Sequence, residues 1–374
     1  MKKILLFSLV VAMSLSSCKK SSDDSGQCAI ATGYTFAVDK VTRIVNFTNT
    51  SGAEAAQFSW NFGDNTTSTL ANPSHTYSAA GTYMVKLSVK SVDGKCVGEV
   101  TTSVIVPVNT NTVPGSFTKK AFIEEFTGAW CGYCVDGAYI VETIVAANAG
   151  KVIAASVHDG DGMAISLDNT LTTIFANSSY PAALVDRIAY GSVVCNSRNV
   201  WQARVVGELS KEAKCGLSLK TNLNATSDSV SVEIKTGFKY SLPGTYKLVT
   251  YVVEDDVMGT GSSYDQVNYY SSAAPGGSAG TATHPYYNLP YHITGYKHKQ
   301  VIRMTVPNDL GDVVSASSII PGGLFTKSYT IAIGSMNKAN LSIVSFVYKV
   351  GTSSLTYEVM NVQKVKVGST QNWD

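Results

Sequence analysis

The sequence predicts a multidomain chain: a β-sandwich, then an α/β domain, then a second β-sandwich. Three observations carry that prediction. Apolar residues alternate from Cys28 to about Val106, as strands with one buried face require. From about Thr118 to Ser210 strands interleave with helical spacing, the pattern of an α/β arrangement. Beyond Cys215 period two returns. The 374 residues leave room for two or three domains of ~150 residues.

At the start, Lys2 and Lys3 precede the apolar run Ile4 to Met13, and Leu15-Ser16-Ser17-Cys18 follows. A short apolar run between positive charge and small residues reads as an export signal, and it is too short for a permanent spanning helix. Leu15 to Cys18 resembles a bacterial lipobox, which implies that Cys18 carries lipid. Residues 1–18 are then a lipoprotein signal and 19–27 a polar tether. An ordinary secretory signal with Cys18 as a bystander is the competing reading. The expected location is the outer membrane of a Gram-negative envelope, lipid-anchored and facing the periplasm or the surface.

Lys plus Arg number 29 and Asp plus Glu 27, so no charge excess points to nucleic acid. Seven cysteines are present; assigning Cys18 to lipid leaves an even six, which suits an oxidising compartment. Pairing within domains joins Cys28 to Cys96 and Cys195 to Cys215 as structural disulfides, and Cys131 to Cys134. Spacing alone leaves other connectivities open.

Residues 28–107 are expected to form the first sandwich, with Phe58-Trp60-Phe62 and Tyr83-Val85-Leu87-Val89 on buried faces. Gly63-Asp64-Asn65 and Ala80-Gly81 supply turns. Trp60-Asn61-Phe62-Gly63-Asp64, Asn72-Pro73-Ser74-His75-Thr76-Tyr77 and Gly81-Thr82-Tyr83 resemble the PKD family of immunoglobulin-like sandwiches, which implies a spacer or binding module. Asp64 and His75 are read as turn and packing residues before ligand-binding ones.

Residues 108–117 read as a linker. In 118–210 a strand is expected at Ala121–Phe126, a helix from Tyr133 to Ala149 and a second strand at Val152–Val157. A short helix at Leu171–Asn177, strands at Ala182–Asp186 and Ile188–Val193, and a helix at Ser197–Ser210 complete the order. Residues 211–374 are expected to be the second sandwich, interrupted by Gly259–Lys299, a Gly-, Ser- and Tyr-rich stretch long enough to be functional or poorly ordered.

The chemistry sits at Trp130-Cys131-Gly132-Tyr133-Cys134, the first strand-to-helix junction. A cysteine pair at this spacing also suits zinc, but a second ligand pair is lacking. Free N–H groups at a helix start favour a thiolate at Cys131; Cys134, one turn on, is the resolving thiol. Asp159-Gly160-Asp161-Gly162 lacks the remaining ligands of a calcium loop. No metal and no cofactor are expected.

This order of elements resembles the thioredoxin fold. The resemblance implies a cis-proline at Tyr180-Pro181 facing the cysteines and a buried acid at Glu125, six residues before Cys131, that moves a proton to or from Cys134. Glu124 points to the opposite face of the strand; the alternative is one glutamate paired and the other solvated. His158, ending the second strand, is a candidate to tune the thiolate or a solvated loop residue, and Tyr180 a candidate beside it.

Phe122 to Cys134, Ser156-Val157-His158 and Tyr180 to Arg187, and more loosely Val253-Glu254-Asp255 and Tyr296 to Arg303, resemble the outer membrane protein 28-related family from about Lys119 to Val367. That resemblance implies an envelope lipoprotein with a thioredoxin-like domain followed by a β domain. The expected function is a thiol-disulfide oxidoreductase whose partners are thiols or disulfides of envelope or surface proteins. The alternative is a non-enzymatic surface binding, adhesion or assembly lipoprotein in which Cys131 and Cys134 form a structural disulfide.

Overall fold

The computed structural model describes residues 28–39, 43–107, 113–226, 228–334 and 336–373. The expected signal, tether and lipid-bearing Cys18 lie outside the described residues, as does the first half of the linker, 108–112. The chain divides into two compact units, Met1–Thr112 and Val113–Asp374.

In the first unit the described strands are β1 (Cys28–Ala29), β2 (Tyr34–Val38), β3 (Ile44–Asn49), β4 (Gln57–Asn61), β5 (Thr67–Ser68), β6 (Ser74–Thr76), β7 (Gly81–Lys90) and β8 (Cys96–Val106). They form sheets ordered β1-β8-β7-β4-β5 and β2-β3-β6. Alternation buries Val85, Leu87 and Val89 against Trp60, Phe47 and Tyr77. Gly63 adopts φ +81°, and a Cβ there would stand 2.8 Å from the Met84 carbonyl oxygen, so the turn after β4 requires glycine. Asp64 accepts from the Thr66 N–H and meets His75 Nε2 at 2.7 Å, while the His75 ring stacks on Phe62. Both residues serve the turn. A Cys28–Cys96 disulfide ties β1 to β8.

The second unit begins with β9 (Ala121–Thr127), α1 (Cys134–Ala147), β10 (Val152–His158), α2 (Leu167–Phe175), β11 (Ala182–Val185), β12 (Asn196–Ser197) and α3 (Trp201–Leu209). It continues through β13 (Cys215–Leu223), β14 (Ser229–Phe238), β15 (Tyr246–Glu254), β16 (Gln266–Val267), β17 (His292–Ile293), β18 (Val301–Val306) and β19 (Asp312–Val313). The last strands are β20 (Leu324–Ala332), β21 (Leu341–Lys349), β22 (Glu358–Lys366) and β23 (Thr370–Gln371). The expected strand at Ile188–Val193 is instead a turn with a single Tyr190–Val193 bridge.

One expectation is overturned at the level of architecture. A thioredoxin-like α/β domain set between two sandwiches is not found, because the sheet does not stop after the central strands. It runs β12-β11-β9-β10-β18-β15-β21-β22, with β19 beside β15, as one nine-stranded mixed sheet. The seam is a parallel contact between β10 and β18 at Ser156 and Val301, where the Ser156 N–H donates to the Gln300 carbonyl at 2.7 Å. The unit is therefore mostly β. A second sheet, β20-β14-β13-β23, packs on β15 and β21 through Leu219, Ile234, Leu248 and Ile343.

β9 explains why the central strands need cover on both sides, since all seven of its residues are buried, as in strands enclosed on two faces. Ala121 and Ile123 face Val141 and Ile144 of α1 and Trp201 and Val205 of α3. Phe122 and Phe126 face the main core with Leu171, Tyr251 and Phe346. Cys195 and Cys215 are free thiols, which corrects the pairing expected for them. Cys195 packs against the main core and its thiol faces the Phe175 carbonyl; Cys215 is buried between the two sheets. Nearness in sequence brought these two into no common core, and burial pushes both thiols up to about 12.

Candidate functional site

The strand β9 ends at Thr127, and Gly128 to Tyr133 turn the chain into α1. The Cys131 N–H donates to the Gly128 carbonyl at 3.0 Å, and the Cys134 N–H donates to the Cys131 carbonyl at 3.1 Å. This turn holds the two sulfurs together as a Cys131–Cys134 disulfide. Cys131 lies just ahead of the helix and Cys134 opens it. Both are buried, at 5% and 1% exposure. The neighbouring Trp130 and Tyr133 are exposed.

Against the first turn of α1 lies Glu125. Its carboxyl Oε1 approaches to 2.6 Å the point where a Cβ on Gly137 would stand, and Pro181 Cβ lies 2.9 Å from the same point. Glycine one turn beyond Cys134 thus lets the acid and the proline reach the helix. Glu125 Oε1 is buried without a hydrogen-bond partner among the described residues. Burial, assisted by the charge of Glu142, pushes its carboxyl up to about 8, so it is neutral near pH 7. The Tyr180–Pro181 peptide is cis, and Tyr180 stacks edge-on against Trp130 at 5.4 Å. The Tyr180 hydroxyl donates to Asp168 at 3.3 Å; burial and the charge of Asp159 raise that acid to about 6.

The structure therefore gathers Cys131, Cys134, Glu125 and Pro181 around the start of α1, with Tyr180 beside Trp130. Glu124 is not solvated. On the opposite face of β9 it receives a bidentate bond from Arg187, at 2.7 Å for both contacts, and a third from the Tyr251 hydroxyl at 2.9 Å. His158 is buried rather than a loop residue in solvent. Its Nδ1 meets Asp161 at 2.7 Å and its ring faces His298 at 5.3 Å. Burial works to raise Asp161, but bonds from His158 and from the Ala129 and Met163 N–H groups hold it below the usual range. His158 thus secures the loop before the cysteines. Burial drives His298 down to about 4, keeping it neutral.

Sequence reasoning missed the part that covers the pair. Within the Gly- and Tyr-rich stretch 259–299, the segment from Gln266 to Tyr269 lies along the Gly128–Gly132 turn. The Val267 N–H donates to Ala129 at 2.8 Å and the Tyr269 N–H to Gly132 at 3.0 Å. Gln266 Nε2 reaches the Cys131 carbonyl at 3.0 Å. The Tyr269 ring lies so close that a Cβ on Gly132 would be 2.3 Å from it. At the flank, Asp136 of α1 binds Arg198 at 2.5 Å, the Tyr270 hydroxyl at 3.2 Å and His284 at 3.1 Å. The two tyrosines in a row and the early acid of α1 were the only signals. Among the described residues no group of three or more His, Cys, Asp or Glu side chains is arranged to hold a metal.

Residues 29–106 match the PKD domain family. A 48-residue stretch is 50% identical to Collagenase ColA of Bacillus cereus, covering 13% of this chain and only 5% of the collagenase. Among solved structures, HBP35 of Porphyromonas gingivalis is similar in fold at TM-score 0.52 and 18% identity, over 68% of this chain and 77% of that one. The PKD1 domain of Vibrio anguillarum Epp is 28% identical over 21% of this chain and 95% of its own, at TM-score 0.20. Residues 168–371, more than half of the chain, match the family described as outer membrane protein Omp28, a description that fits an outer-membrane or surface location. The chain belongs to the Omp28 outer membrane protein family.

Proposed function

We propose that this protein exchanges disulfides with other envelope or surface proteins through Cys131 and Cys134, while held to the outer membrane by lipid on Cys18. The observation that carries the exchange reading is Glu125: a neutral acid whose Oε1 is buried without a hydrogen-bond partner among the described residues, set against the first turn of the helix that Cys134 opens. A buried unpaired carboxyl costs stability and is retained where a proton must move. In the oxidised state, a partner thiolate attacks Cys131 Sγ and the Cys131–Cys134 bond breaks. Cys134 leaves as a thiolate and takes the proton of Glu125. The partner's second thiolate then attacks the mixed disulfide and Cys131 leaves, so the partner is oxidised by two electrons and the pair is reduced. The reverse sequence reduces a partner.

Insulin reduction and refolding of a reduced, scrambled protein are the tests. Wild type is expected to turn over, and Cys131→Ser to lose that turnover while keeping its fold; equal rates for the two would sink the reading. Burial of both sulfurs favours a second reading, a permanent staple in a surface binding protein. A reduction potential below about −300 mV would decide for it. For the anchor, wild-type protein should partition into detergent and Cys18→Ser into the aqueous phase.

A further inference from the structure

The segment Gln266–Tyr269 behaves toward the cysteine turn as a bound peptide does toward a receptor. It begins as a short strand at Gln266–Val267, it donates main-chain N–H groups to two carbonyls of the turn, at Ala129 and Gly132, and it seats an aromatic ring over the glycine between the cysteines. Main-chain bonds of this kind supply affinity while the side chain between them supplies selectivity. Both cysteines are buried beside it.

The segment's outer anchorage has two parts: buried Asn268 bonds the carbonyls of Tyr286, Pro290 and Tyr291, and Tyr270 reaches Asp136. Asp136 gathers Arg198, Tyr270 and His284 in a cluster that solvent reaches, with Arg198 29% and Asp136 16% exposed. Glycines with positive φ flank or interrupt the stretch at Gly261, Gly276, Gly277 and Gly295, where the backbone has freedom to re-route. Gln266–Val267 also pairs with the short strand β17.

We infer that Gln266–Tyr269 is an internal occupant of a peptide-binding edge, and that the protein's partner enters as an extended polypeptide segment carrying an aromatic residue that replaces Tyr269 over Gly132. This rests on the exchange reading of Cys131 and Cys134. The occupant keeps the disulfide from small thiols; a partner able to supply the same donors and ring lifts it.

The test uses the full chain and the rate at which dithiothreitol reduces the Cys131–Cys134 disulfide, followed by alkylation and mass. Arg198→Ala, which opens the Asp136 cluster, and Tyr269→Gly should each be reduced at least about tenfold faster than wild type. Circular dichroism and thermal melting establish that the variants are folded. Excess synthetic peptide Tyr-Asp-Gln-Val-Asn-Tyr-Tyr-Ser, the sequence of residues 264–271, should return Tyr269→Gly toward the wild-type rate, and a scrambled peptide should not. Folded variants reduced at the wild-type rate, or a peptide without effect, overturn the inference. Faster reduction without turnover of protein disulfides upholds the occupant and defeats the exchange activity; turnover with unchanged reduction rates does the opposite.

Discussion

Arg187→Met is expected to destabilise the second unit by about 3–5 kcal/mol, because it strands the buried carboxylate of Glu124. Arg187 is 1% exposed, bound twice to Glu124 and flanked by the rings of Phe346 and Tyr348 at 5.0 and 4.9 Å. Burial works to discharge the guanidinium, but Glu124 and Tyr251 outweigh it and keep it charged. The charge has no route to water. Glu124→Leu with Arg187→Met removes both ions and should recover most of the loss, since a buried ion pair is often replaceable by apolar side chains. Chemical denaturation of the two variants and wild type checks both statements; additive losses in the double variant would contradict them.

Glu125→Gln is expected to slow disulfide exchange on the order of 10²-fold, the usual contribution of a positioned acid or base. It should also erase the dependence of rate on pH near 8, where this carboxyl titrates. The same substitution has an opposite effect on stability. The folded state holds the Glu125 proton up to about 8, while an unfolded glutamate releases it near 4.5. Between those values folding takes up a proton, so stability falls as pH rises through the window. The full cost, on the order of a few kcal/mol, is present above the upper value. Glutamine carries no charge to bury, so the variant should lose that slope and become the more stable protein at alkaline pH. Denaturation midpoints across the window read it directly.

These two acids are neighbours in the chain, and the sequence distinguished them only in part. Alternation sent Glu124 and Glu125 to opposite faces of a strand, and that much is as found. Which partner each would meet was illegible, because Arg187 reaches Glu124 from the turn after β11 and Tyr251 from β15, both far along the chain. The first unit was legible for the converse reason: its motifs are local, and each turn residue acts within a few positions, as Asp64 does on Thr66. The cysteine turn and the helix after it were readable from local order as well, whereas Pro181 came only from the resemblance to the thioredoxin fold. The covering segment was not, since Gly, Ser and Tyr without periodicity give no direction to a chain. Strand periodicity also carries no address. Val301–Val306 announces a strand, but nothing in it says that its parallel neighbour is β10, and the expected separate α/β domain failed on that point. The thiols Cys195 and Cys215 failed similarly, paired on sequence distance where burial in different cores decided.

The seam between β10 and β18 sets an order on folding. Ser156 finds its partner, the Lys299 carbonyl, 143 residues later, so a growing or emerging chain carries β10 with one side unsatisfied until most of the second unit has appeared. Closure over such a distance is slow, and a buried, apolar strand waiting for a partner invites pairing with a neighbouring molecule. A fragment ending near residue 210 would keep that raw edge for good. The cysteine-bearing half expressed alone is therefore expected to aggregate where the whole unit stays dispersed, which light scattering of the two would show.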